Sequence, residues 1–157
     1  MNKKIENIII AGGLALIGLN TYGLYKMSKN PFTDRVQMEE FFDEEVRTLD
    51  LEDKNIEVIV TEEEGDVCSI GCSWKTSDGY IIYLRKKEGL ENGFNEEVLK
   101  HELYHIADGH CDETFALVKS LRESNYSEDF IRLYHDSLYI TNHEPQAIMY
   151  SIFGLRL

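Results

Sequence analysis

The sequence lacks the features of several broad classes of protein. Its three cysteines are too few, and odd in number, for a disulfide scaffold. Only 16 basic residues stand against 29 acidic ones, and the formal charge of −13 argues against nucleic-acid binding, because phosphates demand a surface rich in Lys and Arg. Internal repeats and low-complexity segments are also absent. What is present, 157 residues of which 43% are hydrophobic, is the composition of one globular domain with a well-solvated acidic surface.

Two of the cysteines, Cys68 and Cys72, lie four positions apart. This spacing is compatible with a local disulfide or with half of a metal site. Since no second pair of cysteines accompanies them, the pattern favours buried free thiols over a functional role.

An uncharged stretch, residues 8–25, lies near the N-terminus and is flanked by lysines at positions 3, 4, 26 and 29. As a helix it would span about 27 Å, close to the roughly 30 Å hydrocarbon core of a bilayer. No A-x-A-like cleavage site follows, so the stretch predicts an uncleaved single-pass membrane anchor, with a buried soluble helix as the alternative. Basic residues are nearly balanced across it, and the side of the membrane on which the domain lies is not predicted.

A polar break at Asn30–Pro31 separates the predicted anchor and linker, residues 1–30, from the domain, residues 31–157. A helix is predicted after an N-cap at residues 33–34. Strands are predicted at 55–61, 68–74 and 80–85, the last two joined by a hairpin turn at Asp78–Gly79. Beyond Gly93 the patterns predict helices over 95–108, 113–122, 127–139 and 142–157. The predicted fold is α+β, a small antiparallel sheet followed by a helical half, with a membrane helix at the N-terminus.

The strongest motif is His101-Glu102-Leu103-Tyr104-His105, on the first of those later helices. His101 and His105 are about one helical turn apart, so both imidazoles project from one face at a separation suited to a single zinc ion. Glu102 is rotated by about 100° from His101, which lets it reach a zinc-activated water as general base without being a ligand. This division of roles predicts hydrolysis.

A catalytic zinc takes a third protein ligand, and the sequence offers four candidates. Cys111 occupies the ligand position of the metzincin pattern, but Asp108 stands where that pattern needs a glycine. The glycine and histidine actually present, Gly109 and His110, are each off by one residue, and His110 is more simply a polar loop residue near the site. For Glu113 to be the third ligand, the chain would have to reverse direction tightly within residues 108–112.

The other two candidates lie farther away along the chain. Cys72 faintly resembles the cysteine ligand of peptide deformylases, which also precedes an HExxH helix, although the other deformylase motifs are absent. Glu144 opens a late helix in the segment NHEPQA, and Ala147 would let that helix lie close to the HExxH helix. The residues alone leave the choice open.

An HExxH helix with a downstream E-x-x-A helix is similar to the gluzincin metallopeptidases. Over residues 55–157, the order of strands, a hairpin ending in YIIYLR, an HExxH helix and a glutamate helix resembles the small minigluzincin and SprT-like members. The resemblance implies His101, His105 and Glu144 as zinc ligands, Glu102 as general base, and a peptide or protein substrate.

The same resemblance suggests that the YIIYLR strand is a sheet edge to which an extended peptide adds. From the residues alone, its alternating Ile, Tyr and Leu favour packing in the core. A Tyr or His that stabilises the oxyanion is also expected, and the spacing selects none of the candidates, which are Tyr104, His110, His135, Tyr139 and His143.

The sequence therefore predicts a membrane-anchored zinc endopeptidase that hydrolyses peptide bonds. One rival interpretation is a non-catalytic zinc-binding domain, in which the metal only holds helices together and the anchor presents an interaction surface. Another is a membrane-anchored interaction protein that binds no metal. Zinc content distinguishes the metal-free interaction protein from the other two. Hydrolysis of a peptide distinguishes the endopeptidase from the non-catalytic zinc-binding domain.

Overall fold

The computed structural model describes residues 14–15, 17–19, 21–23, 25–26, 32–61, 71–85 and 95–156. The predicted α+β class is confirmed. In chain order the elements are helix α1 (Arg35–Thr48), strands β1 (Ile56–Thr61), β2 (Gly71–Lys75) and β3 (Tyr80–Arg85), helices α2 (Glu96–Ala107), α3 (His110–Glu123) and α4 (Glu128–Leu138), a π-helical turn (Tyr139–His143), and helix α5 (Glu144–Phe153).

The three strands form a mixed sheet in the order β1-β3-β2. The pair β2–β3 is antiparallel, as the hairpin predicts, but β1 runs parallel to β3. The prediction of an antiparallel sheet was therefore wrong for one of the two pairings. The alternation of side chains along a strand shows which face is buried and carries no information about the direction of the neighbouring strand.

Strand β3, which is the YIIYLR segment, lies in the centre of the sheet, so the suggestion that it forms an edge is wrong. Its inward residues Tyr80, Ile82 and Leu84 are buried in the main hydrophobic core, which confirms the packing interpretation. The most apolar strand occupies the centre because both of its backbone edges and one complete face are then removed from water.

The hairpin between β2 and β3 closes where the sequence predicts it. The amide of Thr76 donates to the carbonyl of Gly79 at 2.9 Å. A Cβ at Gly79 would lie 2.2 Å from the carbonyl oxygen of Asn55, so only glycine fits where the turn approaches the start of β1. The hairpin turn therefore packs directly against the start of β1, the strand that runs parallel to β3.

Helix α2 carries the HExxH motif and has both of its predicted ends. Asn95 caps it by accepting the amide of Val98 at 3.1 Å. At the other end, Gly109 takes a positive φ of 77°, which lets the chain reverse into α3 within two residues. The helix lies between the sheet and α5, with Leu99 and Leu103 buried in the core.

The described residues between 14 and 26 are helical, and this segment touches the domain. The Asn95 side chain donates to the carbonyl of Lys26 at 2.9 Å, and Gly23 lies against the side chain of Ile148. Among the described residues, no helix has the length and apolar character needed to cross a membrane. The predicted anchor, residues 8–25, includes residues 8–13, 16, 20 and 24, which lie outside the described part of the chain.

Candidate metal centre

Three side chains meet at one point between α2 and α5. The Nε2 atoms of His101 and His105 are 3.1 Å apart. One carboxylate oxygen of Glu144 lies 3.3 Å from His101 Nε2, and the other lies 3.5 Å from His105 Nε2. Both histidines are buried, and Glu144 is a quarter exposed. Within the described chain, this is the group of His, Cys and acidic side chains whose arrangement suits a metal ion.

The donor atoms have the separations that a tetrahedral zinc requires. Ligands at about 2.0–2.1 Å from such an ion lie about 3.4 Å from one another. The two Nε2 atoms, 3.1 Å apart, and the nearest carboxylate oxygen to each of them, 3.3 and 3.5 Å away, are close to that spacing. Two imidazoles and one carboxylate are also the donor set of catalytic zinc sites, which keep the fourth position for water. The residues present therefore fit a zinc ion.

Glu144 reaches the site because α5 packs closely on α2. Ala147, one turn after Glu144, is completely buried, and its small side chain permits the close approach. The rings of Tyr104 on α2 and Tyr150 on α5 stack with centroids 4.9 Å apart. The π-helical turn before α5 places Glu144 at the first helical position, facing the two histidines.

The electrostatics of the three side chains favour a cation between them. Burial alone would raise the pKa of Glu144, but hydrogen bonds with His101 and His105 outweigh it and lower that pKa well below its usual range. Burial lowers the pKa of His105 to about 3, so its imidazole is neutral and has a free lone pair. Burial lowers the pKa of His101, but the hydrogen bond and the charge of Glu144 outweigh burial and raise it. Positive charge is therefore stabilised at this point.

Glu102, the predicted general base, is buried beside this group. Burial raises the pKa of Glu102 to about 7, while the nearby His101 and the hydroxyl of Ser73 act in the opposite direction. Its Oε2 atom has no hydrogen-bond partner among the described residues. A carboxylate with a pKa near neutrality and one free oxygen is suited to take a proton from water.

Tyr139, from the π-helical turn, covers the other side of the site. Its ring stacks on His105 with centroids 4.9 Å apart. Burial, together with the charges of Glu102 and Glu144, raises the pKa of Tyr139 well above its usual value. The phenol is therefore a neutral hydrogen-bond donor close to the predicted ligands.

The other candidate ligands are engaged elsewhere. Cys72 is part of a disulfide, so the preference for free thiols was wrong for this residue. Cys111 has its Sγ 3.5 Å from the hydroxyl of Ser73, and burial raises its pKa to about 12, which keeps it a neutral thiol. Glu113 contacts His143 Nε2 at 3.1 Å. None of these three belongs to the group of His101, His105 and Glu144.

Two contacts of the site were not predicted. Ser73, on β2, is near enough to Glu102 to lower its pKa, and nothing in the spacing of the strand indicated it. His110 was interpreted as a polar loop residue, but it is the buried first residue of α3, with its Nδ1 2.9 Å from Nδ1 of His105. Its position directly after the glycine that ends the HExxH helix was the available signal.

Comparisons of the chain with protein-family models, with curated proteins and with solved structures gave no match. A functional assignment therefore depends on the site's own residues and their geometry.

Proposed function

We propose that this protein is a zinc-dependent metalloendopeptidase of the gluzincin type, which hydrolyses peptide bonds of a protein or peptide substrate. The observation that carries the proposal is the cluster of donor atoms from His101, His105 and Glu144, with the unpartnered oxygen of Glu102 beside it. The family resemblance implies the same ligand set, and the tertiary contacts bring those three side chains together.

Each residue has a role that follows from its surroundings. His101, His105 and Glu144 would hold the ion, which when bound supplies Lewis-acid activation of a water molecule and of the scissile carbonyl. Glu102 takes the proton of the attacking water and passes it to the leaving amine. The hydroxyl of Tyr139, held protonated, donates to the oxygen that becomes negative in the transition state.

The substrate is proposed to lie along β2 rather than along β3. Strand β2 is an edge of the described sheet, and β3 is its partner there. Its Gly71 approaches the Glu102 side chain, and its Ser73 lowers the pKa of Glu102, so the edge borders the site directly. An extended peptide that adds to this edge places a backbone carbonyl near Glu102. The uncharged segment 8–25 is proposed to tether the domain to a membrane.

The test is zinc content and proteolysis of the full-length chain in three matched acid-to-amide variants. Glu144→Gln should lose most of the bound zinc. Glu102→Gln should retain about one zinc per chain and lose at least about 100-fold in the hydrolysis of a peptide library followed by mass spectrometry. Glu123→Gln, at an exposed acid at the end of α3, should retain both properties.

Two results would contradict the proposal. Hydrolysis that survives Glu102→Gln excludes this carboxylate as the base. A wild-type chain that binds zinc in a closed coordination sphere but cleaves no peptide supports instead a non-catalytic zinc-binding interaction domain.

A further inference from the structure

His110 lies behind the site without belonging to the ligand set. It is buried, and its Nδ1 is 2.9 Å from Nδ1 of His105. Its other nitrogen, Nε2, is 2.8 Å from the amide oxygen of Gln146, and a carboxylate oxygen of Asp108 lies 3.2 Å from that same nitrogen. The three side chains His105, His110 and Gln146 therefore form a line that leads from the site into α5.

The chemistry of these atoms determines where each proton lies. His105 turns Nε2 toward Glu144, so a ligand lone pair on Nε2 requires the ring proton to be on Nδ1. That N–H has His110 Nδ1 at hydrogen-bond distance, and His110 must accept it with a lone pair. The proton of His110 is then on Nε2, where the amide oxygen of Gln146 accepts it. Every donor in the line meets an acceptor.

Neighbouring rings hold His110 in this orientation. The ring of His143 lies parallel to it, with centroids 4.1 Å apart and an interplanar angle of 9°. Tyr104 contacts it edge-on from α2, with centroids 5.8 Å apart. His143 is itself in contact with Glu113. Rotation of the His110 ring would therefore break its contacts with α2, with the π-helical turn and with α5.

We infer that His110, oriented by Gln146, is a positioning residue that fixes the tautomer and the ring orientation of His105 as a metal ligand. The inference rests on the proposed function. The first histidine of the motif offers a contrast, because Nδ1 of His101 has no partner among the described residues. Partners behind a ligating imidazole typically change metal affinity by about 10- to 100-fold when removed.

The first experiment compares two substitutions at this position in the full-length chain. His110→Phe keeps a ring between His143 and Tyr104 but removes the acceptor. His110→Asn keeps an acceptor oxygen near the former Nδ1. We expect the zinc Kd, measured by competition with a chromophoric chelator, to rise about 10- to 100-fold in His110→Phe and only a few-fold in His110→Asn. Circular dichroism establishes that each variant is folded.

The second experiment observes the bond itself in the wild-type protein. With imidazole ¹⁵N labelling of the zinc-loaded chain, a scalar coupling between the two Nδ1 atoms is expected across the N–H···N bond. The coupling should disappear in both variants. This measurement needs no catalytic activity, and it decides the inference even where His110→Phe does not fold.

The outcomes separate the inference from the function on which it rests. A wild-type chain that binds no zinc contradicts the proposed function. A wild-type chain that binds zinc but shows the His110 proton on Nδ1 overturns the inference and leaves the function intact. Equal zinc affinities of wild type and folded His110→Phe overturn it in the same way.

Discussion

At the scale of single residues, Tyr139 combines a structural contact with a chemical one. Its ring lies on His105, and its buried hydroxyl is close to the charges of Glu102 and Glu144. A phenol whose pKa is raised stays protonated through the neutral range, so it can donate to an oxyanion at any pH at which the site operates. Replacing Tyr139 with Phe removes the hydroxyl that donates the hydrogen bond and keeps the stacking of the ring on His105.

We therefore expect Tyr139→Phe to lower kcat by about 100- to 1000-fold, the effect of losing one oxyanion donor, while the zinc Kd changes little. Steady-state kinetics on a cleaved peptide and chelator competition measure the two quantities. Tyr134→Phe, at an exposed position of α4, is the matched control. A rise in KM with unchanged kcat would show that Tyr139 only packs against the substrate.

At the scale of elements, the important contact is between the edge strand β2 and the HExxH helix. At Gly71 the strand comes so close to α2 that a Cβ would lie 2.9 Å from Val98 Cγ1 and 3.0 Å from Glu102 Oε1. Val98 is β-branched and has little rotamer freedom in a helix, so it cannot move aside. The strand thus restricts the position of the Glu102 side chain, which is the proposed base, and Ser73 on the same strand lowers the pKa of Glu102.

Gly71→Ala should push β2 away from α2 and displace Glu102. We expect a loss of about 1–3 kcal/mol in the free energy of unfolding, a lower kcat, and zinc binding that is retained, because the proposed metal ligands lie on α2 and α5. Urea unfolding, peptide kinetics and zinc titration are the measurements. The control is Gly18→Ala, where the added methyl meets no atom within 4 Å. An unchanged kcat in Gly71→Ala would mean that β2 does not position the base.

At the scale of the whole molecule, one polar contact joins the first helix of the domain to the last. The hydroxyl of Tyr150, on α5, donates to Glu45 on α1. Glu45 is only 5% exposed, and Lys100 is at the limit of ion-pair distance, 4.0 Å away. Burial and the neighbouring Glu45 raise the pKa of Tyr150, so the hydroxyl remains a donor. Since α5 also carries Glu144, this clamp helps to hold a predicted ligand in place.

Tyr150→Phe should destabilise the domain by about 1–3 kcal/mol, because the buried Glu45 carboxylate loses its donor while the ring packing is retained. The midpoint of urea unfolding should fall with an unchanged m-value. Tyr126→Phe, at an exposed position, should leave the midpoint unchanged. A wild-type midpoint in Tyr150→Phe would show that water or Lys100 satisfies Glu45 equally well.

Much of the local structure was determined by the sequence itself. The bounds of β1 agree with the prediction to within one residue. The hairpin at Asp78–Gly79 and the caps Asn95 and Gly109 agree as well, because turns and caps depend on the chemistry of neighbouring residues. The spacing of His101 and His105 likewise follows from helical geometry alone. A candidate zinc motif could therefore be recognised before any tertiary contact was known.

Only the tertiary structure decided which residues join that motif. Glu144 lies 39 residues after His105, and its selection over Glu113, Cys111 and Cys72 depends on the packing of α5 against α2. The central position of β3 and the contact of His110 with His105 were decided in the same way. Sequence patterns report which face of an element is buried, whereas the partner of that face is determined by how all the elements pack together.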